Sequence, residues 1–171
     1  SSIAMGGFLA VRADAFRIEI FLLCILTTVF LQILSNLAND YGDSVHGADH
    51  AARTGPARAV QSGVIKPEQM RQAIGVFAAL SLISGVVLLF LSFGSEWRGI
   101  LAFLVLGLLS IGAAVTYTVG RKPYGYLGLG DASVLVFFGL VGVMGSYYLF
   151  TKEITWKELL PAVSIGLLSV A

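Results

Sequence analysis

The sequence predicts an all-α, multi-pass transmembrane helix bundle, and three observations carry that prediction. Hydrophobic residues make up 57% of the 171 positions. Charged residues make up only 12%, against roughly 25% in a soluble domain. The charges are also segregated. The stretches 20–38, 73–93, 99–120 and 132–151 contain none, and each approaches the roughly 20 residues a helix needs to cross a bilayer. In hydrocarbon a helix satisfies its peptide groups within its own segment, so each stretch predicts a spanning helix. A net charge of +1 gives no field that would draw the chain to nucleic acid.

Residues 1–11 are apolar but too short to span, and are expected to be the end of a first helix. The second helix, 20–38, closes on the polar string Asn36-Leu37-Ala38-Asn39-Asp40-Tyr41-Gly42-Asp43. Cys24 lies inside it and reads as a small packing residue, since a lone cysteine forms no internal disulfide. A polar loop, 44–66, follows, long enough to suggest a functional role. Pro67-Glu68 suits the first turn of the third helix, where a missing N–H costs nothing and an acid meets the positive helix end. A short turn around Gly94 to Arg98 leads to the fourth helix, with Trp97 as an interfacial anchor. The fifth helix follows a loop, 120–131, that holds four glycines and the pair Arg121-Lys122. Gly139, Gly142 and Gly145 within it suggest close helix packing. Residues 152–158, with Trp156 as a second anchor, lead into the start of a sixth helix. The chain is expected to be one domain, 1–171, and an internal fragment of a larger multi-helix protein.

Arg53, Arg58, Lys66, Arg71, Arg121 and Lys122 fall on the side of the bundle that bears the aspartates. Arg12, Arg17, Arg98, Lys152 and Lys157 fall on the other. The excess favours the aspartate side as cytoplasmic.

Charged groups at the edge of a lipid-spanning helix are costly and point to a site. At about 100° per residue, Gln32, Asn36, Asn39, Asp40 and Asp43 fall on one helix face. Asp40 and Asp43 place like charges together, which a divalent cation would resolve. Their hard oxygens suit Mg²⁺, with Asp49 approaching from the loop and Asn36 and Asn39 orienting the ligands. The alternative is a polar helix end whose amides bond neighbouring helices. Arg58, Arg71, Arg121 and Lys122 on the same side suggest a phosphate or diphosphate clamp; the alternative is anchoring by lipid headgroups. Tyr117, one helical turn before Arg121, offers an aromatic face. Gly125-x-x-Gly128-x-Gly130 lacks the strand-to-helix setting of a nucleotide loop and reads as turn residues. His46 and His50 have too few partners for zinc.

Asn39-Asp40-x-x-Asp43, with Gly47 and Asp49, resembles the first aspartate-rich motif of the UbiA superfamily of intramembrane prenyltransferases. The longer string 32–43 is similar to the branch that prenylates 1,4-dihydroxy-2-naphthoate in menaquinone synthesis. The strings 58–65, 120–131 and 137–148 extend that likeness over most of the chain. The resemblance implies a bundle in the cell (inner or plasma) membrane, with its active-site loops on the cytoplasmic side. It implies Mg²⁺ as cofactor, and polyprenyl diphosphate and 1,4-dihydroxy-2-naphthoate as substrates. Asn39, Asp40, Asp43 and Asp49 would hold the metal. Asn36, Asn39, Arg58, Tyr117 and Lys122 would bind substrate, and Asp40, Asp43, Arg121 and Lys122 would carry catalysis. The family's second acid motif is expected beyond residue 171, so this stretch alone is expected to be inactive. Rival readings are a family member with another aromatic acceptor, a cation-coupled transporter, and a non-catalytic scaffold.

Overall fold

The computed structural model describes residues 2–46, 60, 63–120 and 122–170. Among the described residues six α-helical segments follow in order: α1 (Ser2–Arg12), α2 (Ile18–His46), α3 (Pro67–Phe93), α4 (Trp97–Thr116), α5 (Gly130–Thr151) and α6 (Leu159–Val170). No strand occurs among the described residues. By length and composition α2 to α5 can each cross a membrane, and α1 is too short.

Local chemistry sets the helix ends. Pro67 opens α3, and the Gln69 side chain accepts from the Lys66 N–H at 3.0 Å. Gly94, at φ 59°, ends it, a conformation that costs glycine little. The Glu96 carboxylate then caps α4 by accepting from Gly99 N at 2.9 Å, as an N-terminal acid should. Trp97 and Trp156 stand exposed at the loops, as interfacial anchors would.

Helix α2 buries one stripe, Ile20, Cys24, Leu34, Ala38 and Gly42, whose spacings of four and ten residues keep them on one helix face. It packs mainly along α3. Where α2 begins and α3 and α5 end, Ile20, Cys24, Leu88, Leu89, Phe93 and Phe150 form the core. Phe103 extends it, stacked on Tyr148 with ring centroids 5.5 Å apart. The well-packed end therefore lies opposite the acid-bearing end of α2. Helix α5 winds as a π-helix over Leu135–Gly145, and this stretch packs on α6. Against α6 a Cβ on Gly139 would lie 2.7 Å from Ala162 O, and against α1 one on Gly142 would lie 2.8 Å from the Ser2 side chain. The expected close packing holds at both, whereas Gly145 has room for a side chain.

Two boundaries differ from expectation. Helix α2 continues to His46, so the acids occupy its final turns and the loop begins later than residue 44. Helix α4 ends at Thr116 rather than running to residue 120. The Tyr117 carbonyl, which a continued helix would offer to residue 121, accepts from Gly125 N at 2.9 Å. Gly120, at φ 124°, turns the chain away. The expected turn from Tyr117 to Arg121 ends on a residue outside the described ones.

Candidate active site

A cavity of about 460 Å³ runs between α2, α3, α4 and α5. Cys24, Leu88, Phe103 and Leu149 line it near the packed core, and Gln32, Asn36, Asn39, Tyr117 and Tyr124 line it toward the end of α2. Most of its wall is apolar, and its amides and phenols gather at that second end. Gln32 and Asn36 line it yet remain exposed, so the cavity is open. The two amides lie 3.4 Å apart, Nε2 to Oδ1.

Asp40 and Asp43 follow Asn39 on the same helix and do not line the cavity themselves. Asp40 Oδ1 is buried and accepts no hydrogen bond among the described residues. An unpartnered carboxylate oxygen is costly away from water, and a hard cation relieves that cost. Asp43 is 8% exposed, and one of its oxygens, Oδ1, accepts from the Tyr126 hydroxyl. These two acids fit a share of an oxygen-rich metal shell. Among the described residues no group of three or more His, Cys, Asp or Glu comes together for a metal, so further oxygens would have to come from elsewhere, such as a bound diphosphate.

The amide of Asn39 is oriented from the end of α4. Thr118 Oγ1 lies 2.9 Å from Ala38 O and 3.1 Å from Asn39 Oδ1, placed to donate to either. Beyond it, residues Tyr124–Leu127 form a 3₁₀ turn. The Tyr124 hydroxyl donates to Ala113 O at 2.9 Å. Gly125 sits so close to Tyr117 that a Cβ would lie 2.7 Å from its carbonyl oxygen. Gly128, at φ 76°, closes the turn, so these glycines are turn residues, as expected.

The structure thus brings Asn36, Asn39 and Tyr117 to one cavity and puts Asp40 and Asp43 just past them on α2. Lys122 is exposed on the loop that carries Tyr126, and Arg71 is exposed on α3. Arg58, Asp49 and Arg121 lie outside the described residues. Sequence reasoning missed Thr118 and Tyr126. Their partners lie on α2, far away along the chain, and the only local signal was a pair of tyrosines flanking a glycine.

The described helices are those of a membrane-spanning bundle, with an apolar cavity that reaches Asn39, one residue before Asp40. The chain belongs to the UbiA prenyltransferase family, which matches residues 1–171. It is similar to the 1,4-dihydroxy-2-naphthoate octaprenyltransferases of Haemophilus influenzae and Escherichia coli. Identity is 46% with the first, over 100% of this chain and 56% of the relative. With the second it is 47%, over 100% of this chain and 55% of the relative. The Mycobacterium tuberculosis protein of the same name is 39% identical over 86% of this chain and 48% of its own. The chain spans about half the length of the curated relatives it matches. No solved structure matches it.

Proposed function

We propose that the whole protein transfers a polyprenyl group from polyprenyl diphosphate to 1,4-dihydroxy-2-naphthoate. Diphosphate and CO₂ leave, and demethylmenaquinone forms in its reduced, dihydroxy state. The observation that carries this reading is the junction of an apolar cavity with an acid pair that holds an unpartnered buried oxygen. The shared name of the relatives supplies the substrates.

The residues suit the chemistry in order. The apolar wall takes the prenyl tail, which is insoluble in water and enters from lipid. Asn36 and Asn39 place amide groups at the polar end of the cavity, where a diphosphate would lie. Asp40 and Asp43, with Asn39 and Asp49, would hold Mg²⁺, which when bound supplies positive charge to a leaving diphosphate. Arg58, Arg121 and Lys122 would add cationic hydrogen bonds to the same oxygens. The allylic C–O bond breaks and its electron pair leaves with diphosphate. The face of Tyr117 stabilises the allylic cation left behind. The electron-rich ring carbon that bears the carboxylate attacks the cation, forming the new C–C bond. Loss of CO₂ returns its bonding pair to the ring and restores aromaticity. No oxidant is required. The aspartate side faces the cytoplasm in this reading, in a cell membrane.

The test is turnover of labelled polyprenyl diphosphate by the complete protein. Asp43→Asn and Asp40→Asn should each lower kcat by about 100-fold or more while the protein still folds. Wild-type rates in both would sink the reading.

A further inference from the structure

We propose that Tyr126 is a positioning residue for Asp43. Its phenol fixes the rotation of the carboxylate through Oδ1 and so sets the cation affinity of the site. The inference rests on the proposed function and deepens it.

The hydroxyl of Tyr126 donates to Asp43 across 83 positions of sequence. Its side chain is about half exposed, at 48%, and its hydroxyl reaches α2. The turn that carries it is fixed to the end of α4 at two points, Tyr124 to Ala113 O and Gly125 N to Tyr117 O, both at 2.9 Å. That end is in turn fixed to α2 by Thr118. A hydroxyl held by such a frame favours the side-chain torsions of the carboxylate that keep Oδ1 within its reach. Groups that orient a ligand in this way commonly change metal affinity by tenfold or more when removed. The same turn closely follows Lys122, so one contact ties the placement of a candidate diphosphate cation to that of a candidate metal ligand.

The experiment uses the complete protein in nanodiscs, with Mn²⁺ as the probe, free Mn²⁺ read by electron paramagnetic resonance. Tyr126→Phe should raise the Mn²⁺ dissociation constant about tenfold and leave the thermal midpoint within about 2 °C. The Mg²⁺ activation constant should rise by more than kcat falls. Leu127→Ala, on the same turn and 65% exposed, should keep the wild-type Mn²⁺ constant. Asp43→Asn should lose this binding. If Asp43→Asn loses Mn²⁺ and Tyr126→Phe does not weaken it, the positioning role is wrong and the proposed function stands. An equal loss in Leu127→Ala would mean a loosened turn and would overturn the role as well. So would a Tyr126→Phe protein that fails to fold. Wild-type Mn²⁺ binding in Asp43→Asn would overturn both proposals.

Discussion

Gly42 of α2 lies directly against the backbone of Thr118: a Cβ on Gly42 would stand 2.5 Å from the Thr118 carbonyl oxygen. Its neighbour along the helix is Asp43. The place where the end of α4 rests on α2 is therefore also the place where the candidate acids begin. The absent side chain allows the close approach that lets Thr118 reach Ala38 O and Asn39 Oδ1.

Gly42→Ala should accordingly force the two segments apart. Overpacking of this kind costs about 1–3 kcal/mol, and a neighbouring backbone cannot swing away as a flexible side chain can. In the complete protein we expect a lower thermal midpoint and a larger loss of turnover than the midpoint alone explains, because Asn39 and Asp43 move with the contact. Activity and midpoint measured on the same preparation check this.

Thr118→Val keeps the shape of the side chain and removes its hydroxyl. The buried Ala38 carbonyl and the Asn39 amide then lose a donor, at a cost of about 1 kcal/mol. Thr118→Ser should recover most of it. A valine variant as stable and as active as the wild type would show that the hydroxyl contact contributes nothing.

The α5–α6 contact predicts a contrast between two glycines. Gly139→Ala would place a methyl 2.7 Å from Ala162 O and 3.0 Å from the Gly166 Cα, and should destabilise by about 1–3 kcal/mol. Gly75→Ala, within α3 and with nothing inside 4 Å of its Cβ position, should stabilise by about 0.5–1 kcal/mol through helix propensity. Denaturation of the pair in one detergent reads both signs.

Lys152, at the loop after α5, folds back onto Ser92 Oγ and Leu149 O, with its ammonium 4.4 Å from the centre of the Phe93 ring. Burial pushes its pKa down from 10.5 to about 8, and Arg17 adds repulsion, against a weaker pull from Glu96. Between those two values the folded protein binds fewer protons at this group than the unfolded chain does. Stability therefore rises as pH climbs from about 8 toward 10.5, and below about 8 the cost of burying the charged ammonium is fully present. The thermal midpoint of the wild type should gain on that of Lys152→Met across this window. Parallel curves would count against a depressed ammonium.

The sequence by itself determined the helices and much of their limits. Charge-free length marked the spans, Pro67 and Gly94 marked the ends of α3, and the acids at the close of α2 marked the polar end of the site. Each of these signals is local: transfer to lipid, a missing N–H or a positive φ acts through the residue that carries it. The tertiary structure decided what those residues meet. It ended α4 early because the Tyr117 carbonyl found Gly125, and it opened a cavity along the amides of α2. It set Tyr126 on Asp43 and Thr118 on Ala38. Those contacts depend on how each helix is rotated and how closely backbones approach, and both are fixed by packing between segments distant along the chain.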